Sequence, residues 1–151
     1  MKKEVVVYTI GKSKDHDQTE WDVLDITTTG YLYDKEGVLY LIYDEYIGDS
    51  EDDLVHNRIK IGQDPLSVQV TKSGMISTSF LYEENGEDVV NYATPYGSMI
   101  IRVNTEKIEL KDDKEEGKLH LEIVYKMSVN GDHETDHIIF IDTKVTDGRT
   151  V

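Results

Sequence analysis

The chain contains no cysteine. That absence excludes a disulfide framework, a thiolate zinc site and a thiol nucleophile, and it fits a reducing compartment. Basic charge is also scarce, with 16 Lys and Arg against 31 Asp and Glu and a formal net charge of -15. The cations are scattered, with no run able to follow a phosphate backbone, so neither nucleic acid nor an anionic membrane surface is an expected partner. Long apolar runs are missing too, and no segment approaches the length needed to span a bilayer. The opening "MKKEVVVYTIGKSK" begins with two lysines like a secretory leader. Glu4 and Lys12, however, leave only a short, interrupted apolar run, and the expected location is cytoplasmic.

Helical periodicity is the last absence. Apolar residues recur at a spacing of two almost everywhere, the signature of half-buried strands. The clearest case is "KLHLEIVYKMSV": Leu119, Leu121, Ile123, Tyr125, Met127 and Val129 share one face, opposite His120, Glu122, Lys126 and Ser128. Further strands are expected over Glu4–Lys12, Trp21–Tyr33, Val38–Tyr46, Val55–Ile61, Leu66–Lys72, Met75–Tyr82, Val89–Thr94, Ser98–Thr105, Lys107–Leu110 and about His133–Val145. Between them "DKEG", "GQDP", "SG", "ENGED", "DDKEEG" and "NGD" supply turn residues that tolerate positive φ. With 151 residues, 38% of them hydrophobic, the chain makes one domain. About ten strands joined by short turns must stack as two sheets or close as a barrel, because one open sheet would leave its apolar face wet. Composition leaves both open.

Motifs that carry chemistry fail on context. "HETDH", His133 to His137, matches the zinc-protease pattern, but that pattern needs a helix to bring both imidazoles to one face. Here it runs into "IIFIDTKV", and on a strand the two rings are separated by roughly 13 Å at about 3.3 Å per residue. A hydrolase using His133 and His137 is therefore a third-ranked reading. "GKS" at Gly11 to Ser13 lacks the glycine of a phosphate loop, since Val6 stands there. "DDKEEG" places Lys114 at a calcium-ligand position and "DHDQTE" lacks the turn glycine. No G-x-S-x-G is present. The acidic run "DEYIGDSEDD" and its like read as solvated connections. No catalytic residue, cofactor or metal ligand is assigned, and the chain is read as a non-enzyme.

Tyrosine is the informative excess, ten residues in all. Its ring packs on a sheet while its hydroxyl finds a polar partner, so it serves both β-sheet packing and pocket walls. Trp21 is read as a core or rim anchor.

From Thr27 to Ile141, the segments "TTGYLY", "VLYLIYDEY", "MISTSF" after its "SG" turn, "YATPYGSM", "VNTEKI" and "GKLHLEIVYKMSVNG" occur in an order and spacing that resembles the YwiB-like family, uncharacterised proteins found mainly in Gram-positive bacteria. The resemblance implies an all-β fold, an antiparallel up-and-down calycin-like barrel of about eight to ten strands, and no settled activity. The G-x-W of true lipocalins is missing, since Thr19 stands two residues before Trp21.

In such a barrel Leu119, Leu121, Ile123, Tyr125 and Met127 face inward, with Met99, Ile101 and Val103 as a second set. A two-residue turn at Asn130 and Gly131 places Ile138 and Phe140 beside them; a one-residue bulge substitutes Ile139 and Ile141. The leading functional expectation is a barrel that binds a small, partly apolar ligand. Its candidate ligand-binding residues are Tyr92, Thr94, Tyr96, Arg102 and Tyr125: rings for contact, Thr and Arg for a polar or anionic group. Tyr92 and Thr94 share one side of their strand, whereas Met99 and Arg102 fall on opposite sides of the next, across the corner made by Pro95 and Gly97. The alternative is a structural or interaction module, including a homodimer, whose barrel is filled by side chains.

Overall fold

The structure, a computed structural model, describes residues 2–46, 48–50, 52–75, 77–94, 96–113 and 115–146, with the backbone alone at Thr94. Pro95, Ile76 and Lys114, and Ile47 and Glu51 of the first acidic run, lie outside the described residues. Ten strands carry the regular structure: β1 (Lys2–Lys14), β2 (Asp22–Lys35), β3 (Val38–Tyr46), β4 (Leu54–Gln63), β5 (Leu66–Gly74), β6 (Thr78–Tyr82), β7 (Glu87–Thr94), β8 (Gly97–Asp113), β9 (Lys118–Val129) and β10 (Thr135–Val145). No helix occurs among the described residues, so none there is long and apolar enough to cross a membrane.

The strands form one antiparallel sheet in the order β6-β5-β4-β3-β2-β1-β10-β9-β8-β7. Every strand but the pair β6 and β7 is hydrogen-bonded to its neighbour in sequence, and β1 joins β10, so the sheet is an up-and-down meander that rolls into a nearly closed barrel. Short hairpins make this topology accessible. Glu36 (φ 53) and Gly37 (φ 82) supply the two positive-φ positions between β2 and β3, where Lys35 faces Val38.

The interior is set by alternation. Leu39 and Leu41 on β3, Val55, Ile59 and Ile61 on β4, Val68 and Val70 on β5, and Leu119, Leu121 and Ile123 on β9 are buried, as are Val5, Val7, Ile101, Val103 and Ile141. Each fully buried aliphatic side chain contributes about 1.5–3 kcal/mol. Both expected inward sets therefore point inward, with Met99 and Met127 only half-buried.

Among the described residues the edges β6 and β7 share no ladder. Side chains and turn backbone bridge this seam instead: Leu81 N–H donates to Asp88 Oδ2 (2.8 Å) and Ile108 N–H to Glu84 Oε2 (3.1 Å). Thr105 accepts from Asn85 N–H at 2.8 Å and donates to the Gly86 carbonyl at 3.0 Å. Thr105 lies one residue beyond the β7–β8 ladder, which ends at Asn104 opposite Glu87, so its backbone groups on that side are available to the turn.

A bulge in the β8–β9 register corrects one expectation: Ser98–Thr105 and Lys107–Leu110 are one strand, bulged at Glu106 and not broken. A second correction concerns Met75–Tyr82, where the strand begins only at Thr78 and β5 runs on to Gly74. The last strand begins at Thr135 rather than His133. Asn130 and Gly131 do form the positive-φ turn, closed by Asp132 N–H to the Val129 carbonyl at 3.0 Å. One extra residue follows, however, so Thr135 faces Met127, and Ile139 and Ile141 join the inward set. Trp21 sits just before β2, half-exposed at the rim, with Lys14 Nζ 4.9 Å from its ring centre.

Candidate functional site

Tyr43, Asn57, Lys72 and Thr78 are successive cross-strand partners on β3, β4, β5 and β6. They occupy inward positions continuing the apolar phases of their strands. Lys72 Nζ donates to Glu45 Oε1 (2.9 Å) and to Asn57 Oδ1 (2.7 Å), and Asn57 Nδ2 donates to the same Glu45 oxygen (3.0 Å). The ion pair is largely withdrawn from water, with side-chain exposures of 32% for Lys72 and 12% for Glu45. Tyr43 beside it is buried; desolvation first, and then the negative charge of Glu45, push its hydroxyl well above the ordinary tyrosine range. It stays a neutral donor. Thr78 Oγ1 is buried without a hydrogen-bond partner among the described residues.

The same row continues to Gly30 on β2, the last rung of the β2–β3 ladder. Beyond it β2 leaves β3, and Thr28 Oγ1 donates to the Asp44 carbonyl at 3.1 Å across the gap. An open cleft of about 860 Å³ forms there. Ile26, Thr28, Tyr43, Glu45 and Asn57 line its inner side, and Tyr31 and Arg58 its outer side. Its lining mixes the apolar surface of Ile26, Tyr31 and Tyr43 with many polar groups, Thr28, Glu45, Asn57 and Arg58 among them, and its volume is in the range of small-molecule sites.

The sequence-based candidates fall elsewhere and apart. Tyr125 is buried on β9, hydrogen-bonded to Tyr82 across the seam with ring centres 5.0 Å apart. Tyr92 on β7 is half-buried against the core, and Thr94 ends the same strand with only its backbone described. Tyr96 is 100% exposed at the hairpin tip. Arg102 faces outward from β8, and its Nη1 donates to Glu87 Oε1 at 2.8 Å. Tyr92, Tyr96, Arg102 and Tyr125 do not line the cleft.

The two histidines of "HETDH" also part company. His133 lies in the β9–β10 loop, while His137 on β10 turns inward and stacks on Tyr125 (5.0 Å, 10° between planes). Thr135 Oγ1 gives its proton to the Met127 carbonyl (3.2 Å), which leaves His137 Nε2–H to donate to Thr135 at 2.7 Å. Burial holds the His137 pKa below the ordinary value of 6.5, against the opposing pull of Asp136. A histidine depressed in the native state contributes stability above its unfolded pKa and loses it as pH falls through the native one. Urea melts taken from pH 7 to 5 should therefore show falling stability, and His137→Phe should flatten the slope; an unchanged slope in the variant would assign the effect to other groups.

Comparison with known proteins places this architecture. The family described as Domain of unknown function (DUF1934) matches residues 8–141. The chain is 27% identical over 139 residues to "Uncharacterized beta-barrel protein YwiB" of Bacillus subtilis (strain 168), covering 91% of this chain and 92% of that protein. The crystal structure of the ywiB protein from Bacillus subtilis superposes with a TM-score of 0.80 at 20% identity, covering 96% of this chain and 93% of that one. The sequence segments that resembled the YwiB-like family thus lie in a barrel of the same overall fold, and the chain belongs to the DUF1934 family.

Proposed function

We propose that this barrel, a cytoplasmic protein of calycin-like type, binds a small, partly apolar molecule in the cleft where β2 leaves β3. The polar end of the molecule is held by the Glu45–Asn57–Lys72 group and its body lies against Ile26 and Tyr43. The observation that carries the reading is the largely desolvated Glu45–Lys72 ion pair, whose carboxylate residue Glu45 lines the cleft with Asn57. A barrel wall built only for packing is served as well or better by apolar residues there, because desolvation of a buried pair offsets most of its Coulombic gain. The Thr78 hydroxyl, which faces Lys72 across the β5–β6 ladder and has no hydrogen-bond partner among the described residues, adds a further polar group.

Titration with the amphiphilic fluorophore 8-anilinonaphthalene-1-sulfonate under native conditions tests this. The expected result is saturable enhancement at one site per chain. Thr28→Phe, which fills the cleft, should weaken it at least about tenfold by occupying the space an apolar body needs, while Tyr96→Ala leaves it unchanged. Absence of saturable binding, or binding that follows Tyr96 or Arg102 instead of Thr28, overturns the assignment.

A second reading, an interaction module, draws on the unpaired edge β7 and the exposed Val89 and Ile100 beside it. It predicts a dimer whose dissociation follows Val89→Lys in sedimentation velocity.

A further inference from the structure

We propose that Asp15, His16 and His133 bind one divalent transition-metal ion of the zinc class, clamping the β1–β2 loop to the β9–β10 loop at the barrel rim. The β1–β10 ladder ends at Lys14 opposite Asp136, which brings the residues just beyond it on both loops side by side. Asp15 Oδ1 lies 2.8 Å from His16 Nδ1 and 2.9 Å from His133 Nε2. The two imidazoles meet edge to face with centres 4.6 Å apart. One donor atom from each of the three residues lies within 4.8 Å of the other two. A tetrahedral ion with bonds of about 2.0–2.1 Å holds its donors about 3.3 Å apart, so the contacts to Asp15 need to open by only roughly half an ångström.

The His16 ring supplies an independent reason. Its other nitrogen, Nε2, lies 3.1 Å from Asp17 Oδ1, so both ring nitrogens face carboxylates. A neutral imidazole carries one N–H and can satisfy only one of them. With a cation on Nδ1 and Nε2–H donated to Asp17, both are satisfied, and the result is the carboxylate–histidine–metal relay of protein metal sites. Two imidazoles and one carboxylate suit zinc, nickel or copper rather than magnesium or calcium. The donors are partly exposed, 61% for His16 and 56% for His133, so an ion reaches them directly and water completes its coordination.

Untagged, chelator-stripped protein titrated calorimetrically with zinc chloride, and separately with magnesium chloride, tests the site. One zinc per chain and no magnesium is expected. His16→Gln and His133→Gln preserve amide contacts to Asp15 but ligate poorly, and each should weaken zinc binding at least about a hundredfold. Asp17→Asn, acting behind His16, should cost roughly ten- to a hundredfold. Cobalt substitution gives a visible d–d spectrum that reports the ligand set without reference to any activity, and His133→Gln should abolish it. The proposal fails if zinc does not bind saturably. It fails equally if binding survives both glutamine variants, or is lost in His120→Gln, which would move the ion to Glu109, His120 and Glu122 on the outer wall.

Discussion

Gly30→Ala is expected to destabilise the barrel by roughly 3 kcal/mol, and Gly30→Val to leave it largely unfolded at 37 °C, the upper end of what overpacking costs. A Cβ at Gly30 would lie 2.2 Å from the Ile42 carbonyl oxygen and 2.9 Å from Tyr43 Cβ. Both atoms are fixed to the β3 backbone, so no side chain can rotate away. Relief requires β2 to withdraw from β3, at the rung where the ladder already ends. Two other glycines calibrate the effect. Gly37 has open space but a φ of +82, so alanine there should cost about 1 kcal/mol through backbone strain alone. Gly11 has its nearest atom at 4.0 Å and should be nearly neutral. Urea denaturation of the three alanine variants measures the order, and a Gly30→Ala protein within 1 kcal/mol of the parent would mean that β2 is not held against β3 as described. Surviving Gly30→Ala protein should also bind the fluorophore differently, because Gly30 lines the cleft beside Tyr43.

The fold was legible because alternation runs through nearly every segment, and a period of two states both the strand and the face it buries. The resemblance added the choice of barrel over sandwich, and the solved relative agrees with it. What alternation could not show was continuity. Glu106 interrupts the phase of β8, which reads as a strand end, whereas the register shift against β9 between Thr105 and Lys107 makes it a bulge through which β8 runs on. The register of β10 was similarly open, because Ile138, Ile139, Phe140 and Ile141 are all apolar and either phase satisfies the pattern. For the cleft, the signal in the sequence is polar residues at inward positions. Glu45, Asn57 and Lys72 occupy the phase of Leu41, Ile59 and Val70, where a solvated position is not expected. Tyrosine enrichment instead directed attention to Tyr92 and Tyr96. The convergence of His16 and His133 was beyond sequence reasoning, since it depends on β1 pairing with β10 across most of the chain.

Replacing the whole polar group by apolar residues should stabilise the protein, whereas replacing one member should destabilise it. Lys72→Met alone leaves the carboxylate of Glu45, 12% exposed, without its cation. Breaking a buried pair in this way costs about 3–5 kcal/mol. Because Lys72 itself remains 32% exposed and water reaches its end of the pair, the expected loss is nearer 2 kcal/mol. Asn57 is 2% exposed, and Asn57→Leu removes a hydrogen-bond partner from each of the other two, so it should fall in the same range. In the triple variant Glu45→Met, Asn57→Leu, Lys72→Met no charge is stranded, and comparable replacements of buried ionic groups are neutral or stabilising by about 1–4 kcal/mol. A full mutant cycle by urea denaturation therefore predicts strong non-additivity, with the triple variant at least as stable as the parent and each single variant below it. If the losses simply add, the three residues are not acting as one buried group. Fluorophore titration of the same proteins separates stability from use. A triple variant that folds well but no longer binds would show that the ion pair is kept in the wall of this barrel for recognition, at some expense to the packing that the rest of its interior achieves.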